Sequence, residues 1–379
     1  MRIAHLCLSN WFVDGVGYQE NELVRQHVSD GHEVLVVAST ETHSRPGVLS
    51  YTKPGEYVSA EGARVIRVPY GRWLPEKLMR KLRINSGVLK ILRSFKPDSI
   101  LFHGTCGWEI RTAARYVRET PGVKFYVDSH EDWNNSARNF ISRELLHRAF
   151  YGPVLRSALG QIDKILCVNM ESMDFVHELY GVPREMLEFY PLGGHPIEDG
   201  DYLRRRATAR SALGVAETDI VILQSGKQTR RKKLADSLRA LAAIKDARLR
   251  LFICGSIGED VRTEIQPLIE ADSRVAFLGW KSREELTDLL CAADVYLQPG
   301  TQSATMQHGL CCRCAVILDD VTGHRPYNRE NGWFVTGPQG LVQALHELCH
   351  ADLSTLQQNS DKVAREMLDY RVLSHRVFS

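Results

Sequence analysis

Residues 220–233 read IVILQSGKQTRRKK. An apolar run stops at Gly226, and five basic side chains (Lys227, Arg230, Arg231, Lys232 and Lys233) follow within seven positions. A short apolar run closed by a glycine reads as a strand, and its end aims several cations at one point, as a diphosphate would need. Standing alone, a charge run of this kind is more often a solvated turn. The rest of the chain decides between the two.

On both sides of this stretch, short β-rich runs alternate with longer amphipathic segments. Before it come residues 3–8, 33–38, 64–68, 99–102, 124–128 and 164–168; from it onward come 220–224, 250–253, 275–278, 295–298 and 315–318. This rhythm predicts an α/β fold with parallel sheets. It breaks once, at YPLGGHPIEDGD (residues 190–201), and then restarts. With 379 residues, two domains are expected, 1–195 and 196–354. Two doubly wound domains facing each other form a cleft at the carboxyl ends of their strands, and function is sought there.

Composition narrows the classes. Net charge is +2, which excludes the global positive field of a nucleic-acid binder. Nine cysteines, scattered except for Cys311, Cys312 and Cys314, make no regular disulfide framework, so a reducing cytosol is expected. The N-terminal apolar run is too short for a signal-peptide core, and no stretch is long enough to span a bilayer. The expectation is a cytoplasmic protein, at most peripheral on the inner face of the membrane.

Four segments then fall in order: MRIAHLCLSN followed by GVGYQENELVRQHVSDGHEV, SGKQTRRKK, RVAFLGWKSREELTDLLCAADVYLQPG, and NGWFV at 331–335. With these the chain resembles the GT-B fold glycosyltransferases, and within them the retaining family 4, the glycosyl transferases group 1. The resemblance implies two Rossmann-like domains around a central cleft, with a C-terminal helix, residues 355–379, crossing back to the N-terminal domain. It also implies a nucleotide-diphosphate sugar as donor, a glycan or lipid-linked acceptor, and no metal or other cofactor. Two departures stand out. The family's paired glutamates lie eight positions apart; in PGTQSATMQHGLCCRCAVI the second falls at His308 beside Gln307, and the first has no counterpart. The family's loop arginine is Lys227, which keeps the charge without the planar fork.

Transfer from such a donor leaves negative charge on the departing diphosphate. Lys227 and either Lys232 or Lys233 are expected to stabilise it, beside Gly226. The helix start at Ser303, Ala304 and Thr305 offers backbone N–H groups to the same diphosphate, although an ordinary helix cap reads the same way. Gln307 and His308 are expected at the ribose, and the resemblance puts the main chain of Gly279, Trp280 and Lys281 at the base. Gly15 and Gly17 let the backbone approach a phosphate or sugar; they lack the Gly-x-Gly-x-x-Gly spacing, which argues against a dehydrogenase. In VDSHEDW, His130 and Asp132 rank as candidates for acid–base work or sugar binding, just ahead of His103. No nucleophile is assigned. His308, Cys311, Cys312 and Cys314 invite a zinc reading, but buried thiols explain them better.

Residues 72–96 carry Arg72, Lys77, Arg80, Lys81, Arg83, Lys90, Arg93 and Lys96 against Glu76, with Trp73, Leu74, Leu78, Met79 and Leu82 interleaved. This pattern suits an anionic membrane surface, and equally a helix whose apolar stripe packs on its own sheet. Two rival functions use the same fold: a nucleotide-sugar epimerase, and a non-catalytic sugar- or nucleotide-binding subunit.

Overall fold

A computed structural model describes residues 1–45, 48–301 and 303–378. The chain divides into two compact units, Met1–Pro191 with Tyr370–Ser379, and Leu192–Asp369. The division lies a few residues before the expected boundary.

The first unit contains β1 (Arg2–Cys7), β2 (Glu33–Ala38), β3 (Glu41–Arg45), β4 (Val48–Tyr51), β5 (Gly55–Val58), β6 (Arg64–Arg67), β7 (Ser99–His103), β8 (Lys124–Ser129), β9 (Lys164–Cys167) and β10 (Leu187–Phe189). Eight of them form one sheet in the order β10-β9-β8-β7-β1-β2-β6-β5, parallel except for β5 on β6; β3 and β4 make a separate antiparallel hairpin. The second unit holds β11 (Ile220–Gln228), β12 (Leu249–Ile257), β13 (Val275–Gly279), β14 (Val295–Gln298), β15 (Ala315–Asp319) and β16 (Gly332–Val335). These form an all-parallel sheet in the order β13-β12-β11-β14-β15-β16.

Burial follows the pleat, because successive strand residues face opposite sides. In the first unit Ala4, Leu6, Ile100, Phe102, Phe125 and Val127 join one core. On the other face Leu101, Tyr126 and Leu166 pack with Leu23, Tyr190 and the returning Tyr370, Leu373 and Val377. The Tyr190 hydroxyl donates to Leu373 O at 2.7 Å, and the Arg376 guanidinium donates to Phe189 O at 2.7 Å. The C-terminal part thus crosses back to the first unit as expected, but from Tyr370 and not from residue 355. The helix Leu353–Val363 and the turn Ala364–Leu368 belong to the second unit, where Ser360 is buried and bonded to Cys314 O and to Asn331.

Strand β11 runs past its expected end because Gly226 (φ +110°) pairs with Gly255 (φ +112°), and a Cβ on Gly255 would sit 2.1 Å from Gly226 O. Only glycine permits that approach. Behind the sheet, buried Arg210 donates to Asp294 Oδ2 and to the carbonyls of Ala292, Ala216 and Asp219, and Arg206 also pairs with Asp294.

Candidate active site

In a doubly wound sheet the loops diverge where strand order reverses, leaving room for a ligand beyond the carboxyl ends. In the second unit that point lies between β11 and β14. The turn Arg230–Lys232 follows β11 and ends on Lys233 at φ +52°, from which the helix Leu234–Ala243 starts. Buried Gln224 fixes the turn by donating to Lys232 O at 3.0 Å. Across the switch, Lys232 Nζ donates to Thr301 O at 2.8 Å, and a Cβ on Gly300 would lie 2.1 Å from Arg231 O. Burial, and then the Arg231 charge, lower Lys232 to about 8. Lys227 is exposed on the strand end, and Lys233 pairs with Asp319 at 2.8 Å.

The Ser303 side chain does not cap the helix Ala304–Cys311; its hydroxyl donates to Gln298 Oε1 at 2.7 Å. Ala304 and Thr305 open that helix's first turn. Gln307 is buried and donates to the Tyr327 hydroxyl at 2.6 Å, while its Oε1 has no hydrogen-bond partner among the described residues. The His308 ring meets Thr287 Oγ1 at 3.2 Å and is held neutral, near 4, chiefly by burial. Gly279 (φ +69°) ends β13, Trp280 is 80% exposed, and Lys281 stands 3.8 Å from Glu285. The structure thus brings Lys232 and the loop before Ser303 together, and ties Gln307 and His308 to their own neighbours.

In the first unit the switch falls between β1 and β7. His103 ends β7 fully buried, and its Nδ1 lies 2.5 Å from Asp128 Oδ2. Asp128 Oδ1 accepts from Gly104 N at 2.8 Å and stands 3.7 Å from His130 Nε2. Burial pushes the Asp128 carboxyl up, but the two imidazoles prevail and hold it well below the usual range. Burial likewise opposes charge on His130, and Asp128, helped by Glu20 and Glu131, overrides it and raises this imidazole to about 9. His130 is therefore a cation at neutral pH, suited to donating a hydrogen bond and not to taking a proton. Buried Glu131 accepts from Ser129 Oγ at 2.8 Å and from the His130 and Thr105 amides. Asp132 lies on an exposed turn, where Oδ1 accepts from the amides of Asn134 (2.7 Å) and Asn135 (3.0 Å). Gly15 (φ +74°) donates its N–H to Glu61, and Gly17 is exposed on the same loop.

Residues 14–193 match the Glycosyl transferase 4-like domain, and residues 219–351 match Glycosyl transferases group 1. The chain belongs to the GT-B glycosyltransferases. Solved structures of the same fold include three distant relatives. Sucrose-phosphate synthase from Thermosynechococcus elongatus is 16% identical with a TM-score of 0.62, over 99% of this chain and 97% of that one. Anabaena HepE in complex with UDP is 14% identical with a TM-score of 0.64, over 100% and 98%. The catalytic domain of starch synthase IV from Arabidopsis thaliana, bound to ADP and acarbose, is 13% identical with a TM-score of 0.61, over 100% and 99%. Comparison with curated protein sequences finds no match.

In this glycosyltransferase the basic segment 72–96 forms the helices Glu76–Lys81 and Val88–Phe95. Trp73 is 69% exposed beside exposed Arg72, Lys77 and Lys81. Part of the charge is spent locally: Arg80 pairs with Glu76 and lies 3.7 Å over the Tyr51 ring, Arg83 pairs with Glu41, and Arg93 with Glu119. No helix among the described residues is long and apolar enough to cross a membrane. Cys311, Cys312 and Cys314 are all buried. Reading by motif overlooked Gln224, His5 and His27, and gave Asp128 no role of its own. Asp128 stood in the same five-residue cluster as His130, and His5 was visible as a lone imidazole inside an apolar strand.

Proposed function

We propose that the glycosyltransferase moves a hexosyl or related group from a nucleotide-diphosphate sugar to a glycan or lipid-linked acceptor, with retention of anomeric configuration and without a metal. The observation that carries this reading is the junction at the switch point of the second unit, where Lys232 bridges to Thr301 and Gly300 keeps the two loops in contact. Cations held there meet the charge that develops on a departing diphosphate, the role a metal ion would otherwise fill. Lys227 adds a second, exposed cation, and Lys233 is partly neutralised by Asp319.

In the first unit His130, kept protonated by Asp128, donates to a sugar hydroxyl or phosphate oxygen, and Glu131 braces the loop that carries it. HepE with UDP and starch synthase IV with ADP support a nucleoside diphosphate as the ligand class. Exposed Trp73, Arg72, Lys77 and Lys81 suit the cytoplasmic face of an anionic membrane, where a lipid-linked acceptor would be met.

A thermal-shift screen against UDP, GDP, ADP, CMP and their sugar conjugates, with and without magnesium, followed by product analysis, tests this. Selective stabilisation by one diphosphate, independent of magnesium, is expected, because a ligand of the native state raises apparent stability by mass action. An isomerised donor without acceptor would point to an epimerase. Binding without turnover across an acceptor panel would point to a binding subunit.

A further inference from the structure

Behind Asp128 runs a line of buried imidazoles. His103 Nε2 lies 2.9 Å from His5 Nδ1, His5 Nε2 lies 2.9 Å from His27 Nδ1, and His27 Nε2 lies 3.1 Å from the backbone carbonyl of Ser374. All three rings are 0% exposed, so bulk water replaces none of these contacts. Both ends of the line are acceptors: a carbonyl at Ser374 and the Asp128 carboxylate at His103. Each contact needs one proton. Four contacts need four ring protons, and three neutral imidazoles supply three.

We infer that His5, His27 and His103 are positioning residues holding one proton beyond their neutral forms, and that through it the docked 370–377 segment sets the charge beside His130. The Ser374 carbonyl obliges His27 to donate outward, and the obligation passes from ring to ring until the surplus proton faces Asp128. His130 then sees a carboxylate already half-neutralised from behind. Without the carbonyl anchor, His5 and His103 satisfy their two remaining contacts with one proton each, and the carboxylate stands uncompensated. Other charged groups facing this line are Asp30 and His32 beside His27, and Glu20 and Glu131 beside His130. None of them lies between the four contacts. The inference concerns proton placement and holds whichever donor and acceptor the glycosyltransferase uses.

The test is nitrogen-detected NMR of the full chain labelled with ¹⁵N-histidine, with ring signals assigned through single variants. In the wild type near neutral pH, the three rings should together show four N–H protons. Three would overturn the inference, and this count needs no altered protein. His27→Leu should remove the surplus proton and raise the His130 midpoint by about one pH unit, since a cation a few ångströms behind the carboxylate is lost. His27→Gln retains an amide donor toward Ser374 and an acceptor toward His5, and should titrate as the wild type does. A His130 midpoint that stays put in a folded His27→Leu protein, or that moves equally in both variants, would also overturn it.

Discussion

Alkaline pH should disarm the donor site through Lys232. Burial and the Arg231 charge bring this ammonium to about 8, so it loses its proton within an accessible window. If a nucleoside diphosphate binds only the protonated form, the apparent Kd scales as one plus the ratio of neutral to charged lysine. Between about pH 7.5 and about pH 9.5 that factor grows roughly 25-fold, or ~1.9 kcal/mol. This lies inside the range of about 1.5–3 kcal/mol for a hydrogen bond to a charged group. The ligand does not supply the trend, because a terminal phosphate with its last pKa near ~6 is already ionised throughout the window. The assay is isothermal titration of the diphosphate selected by thermal shift. His130 also titrates nearby, at about 9, so Lys232→Arg is the discriminating control: a guanidinium stays charged and should flatten the curve. A wild-type Kd that is level across the window, or an equally steep one in Lys232→Arg, would refute the assignment of Lys232 to the diphosphate.

Lys227→Ala should weaken nucleotide binding while leaving the melting temperature unchanged, because the side chain is exposed; calorimetry and thermal denaturation check both halves. Asp128→Asn removes the charge that keeps His130 protonated, so the alkaline limb of the pH–rate profile should move from about 9 toward ~6.5. Arg210→Leu leaves Asp294 paired with Arg206 but removes the buried donors to Asp294 Oδ2 and to the carbonyls of Ala216 and Asp219, and should cost about 1–3 kcal/mol in urea unfolding. Reversing Lys77 and Lys81 to glutamate should reduce co-sedimentation with anionic vesicles, each cation contributing on the order of 1 kcal/mol near the surface.

Most strands of the two sheets were legible because parallel strands buried on two faces are short apolar runs, as in residues 295–298 and 315–318; the edge strands β5 and β10 were missed. The hairpin Glu41–Arg45 with Val48–Tyr51 escaped notice, since ETHSR carries no apolar alternation to mark it. The basic turn after β11 was also legible, yet which lysine points inward was not: that depends on Gln224 and Thr301, one behind the turn and one about seventy positions away. Asp132 drew attention by proximity to His130, and the backbone turns its carboxylate to the amides of Asn134 and Asn135. The line from His103 to Ser374 is invisible locally, because its members come from two strands, a helix and a segment some 270 positions later.

The first unit is completed by residues that follow the whole of the second. Leu101, Tyr126, Leu166 and Tyr190 lie under Tyr370, Leu373 and Val377, with the whole second unit encoded between them. On the ribosome, the amino-terminal sheet must therefore wait with one greasy face bare while about 180 further residues are made, at roughly 5–20 residues per second. A nascent chain stalled or clipped before residue 370 would leave Leu101, Tyr126 and Leu166 without Tyr370, Leu373 and Val377 over them, and limited proteolysis would find that face.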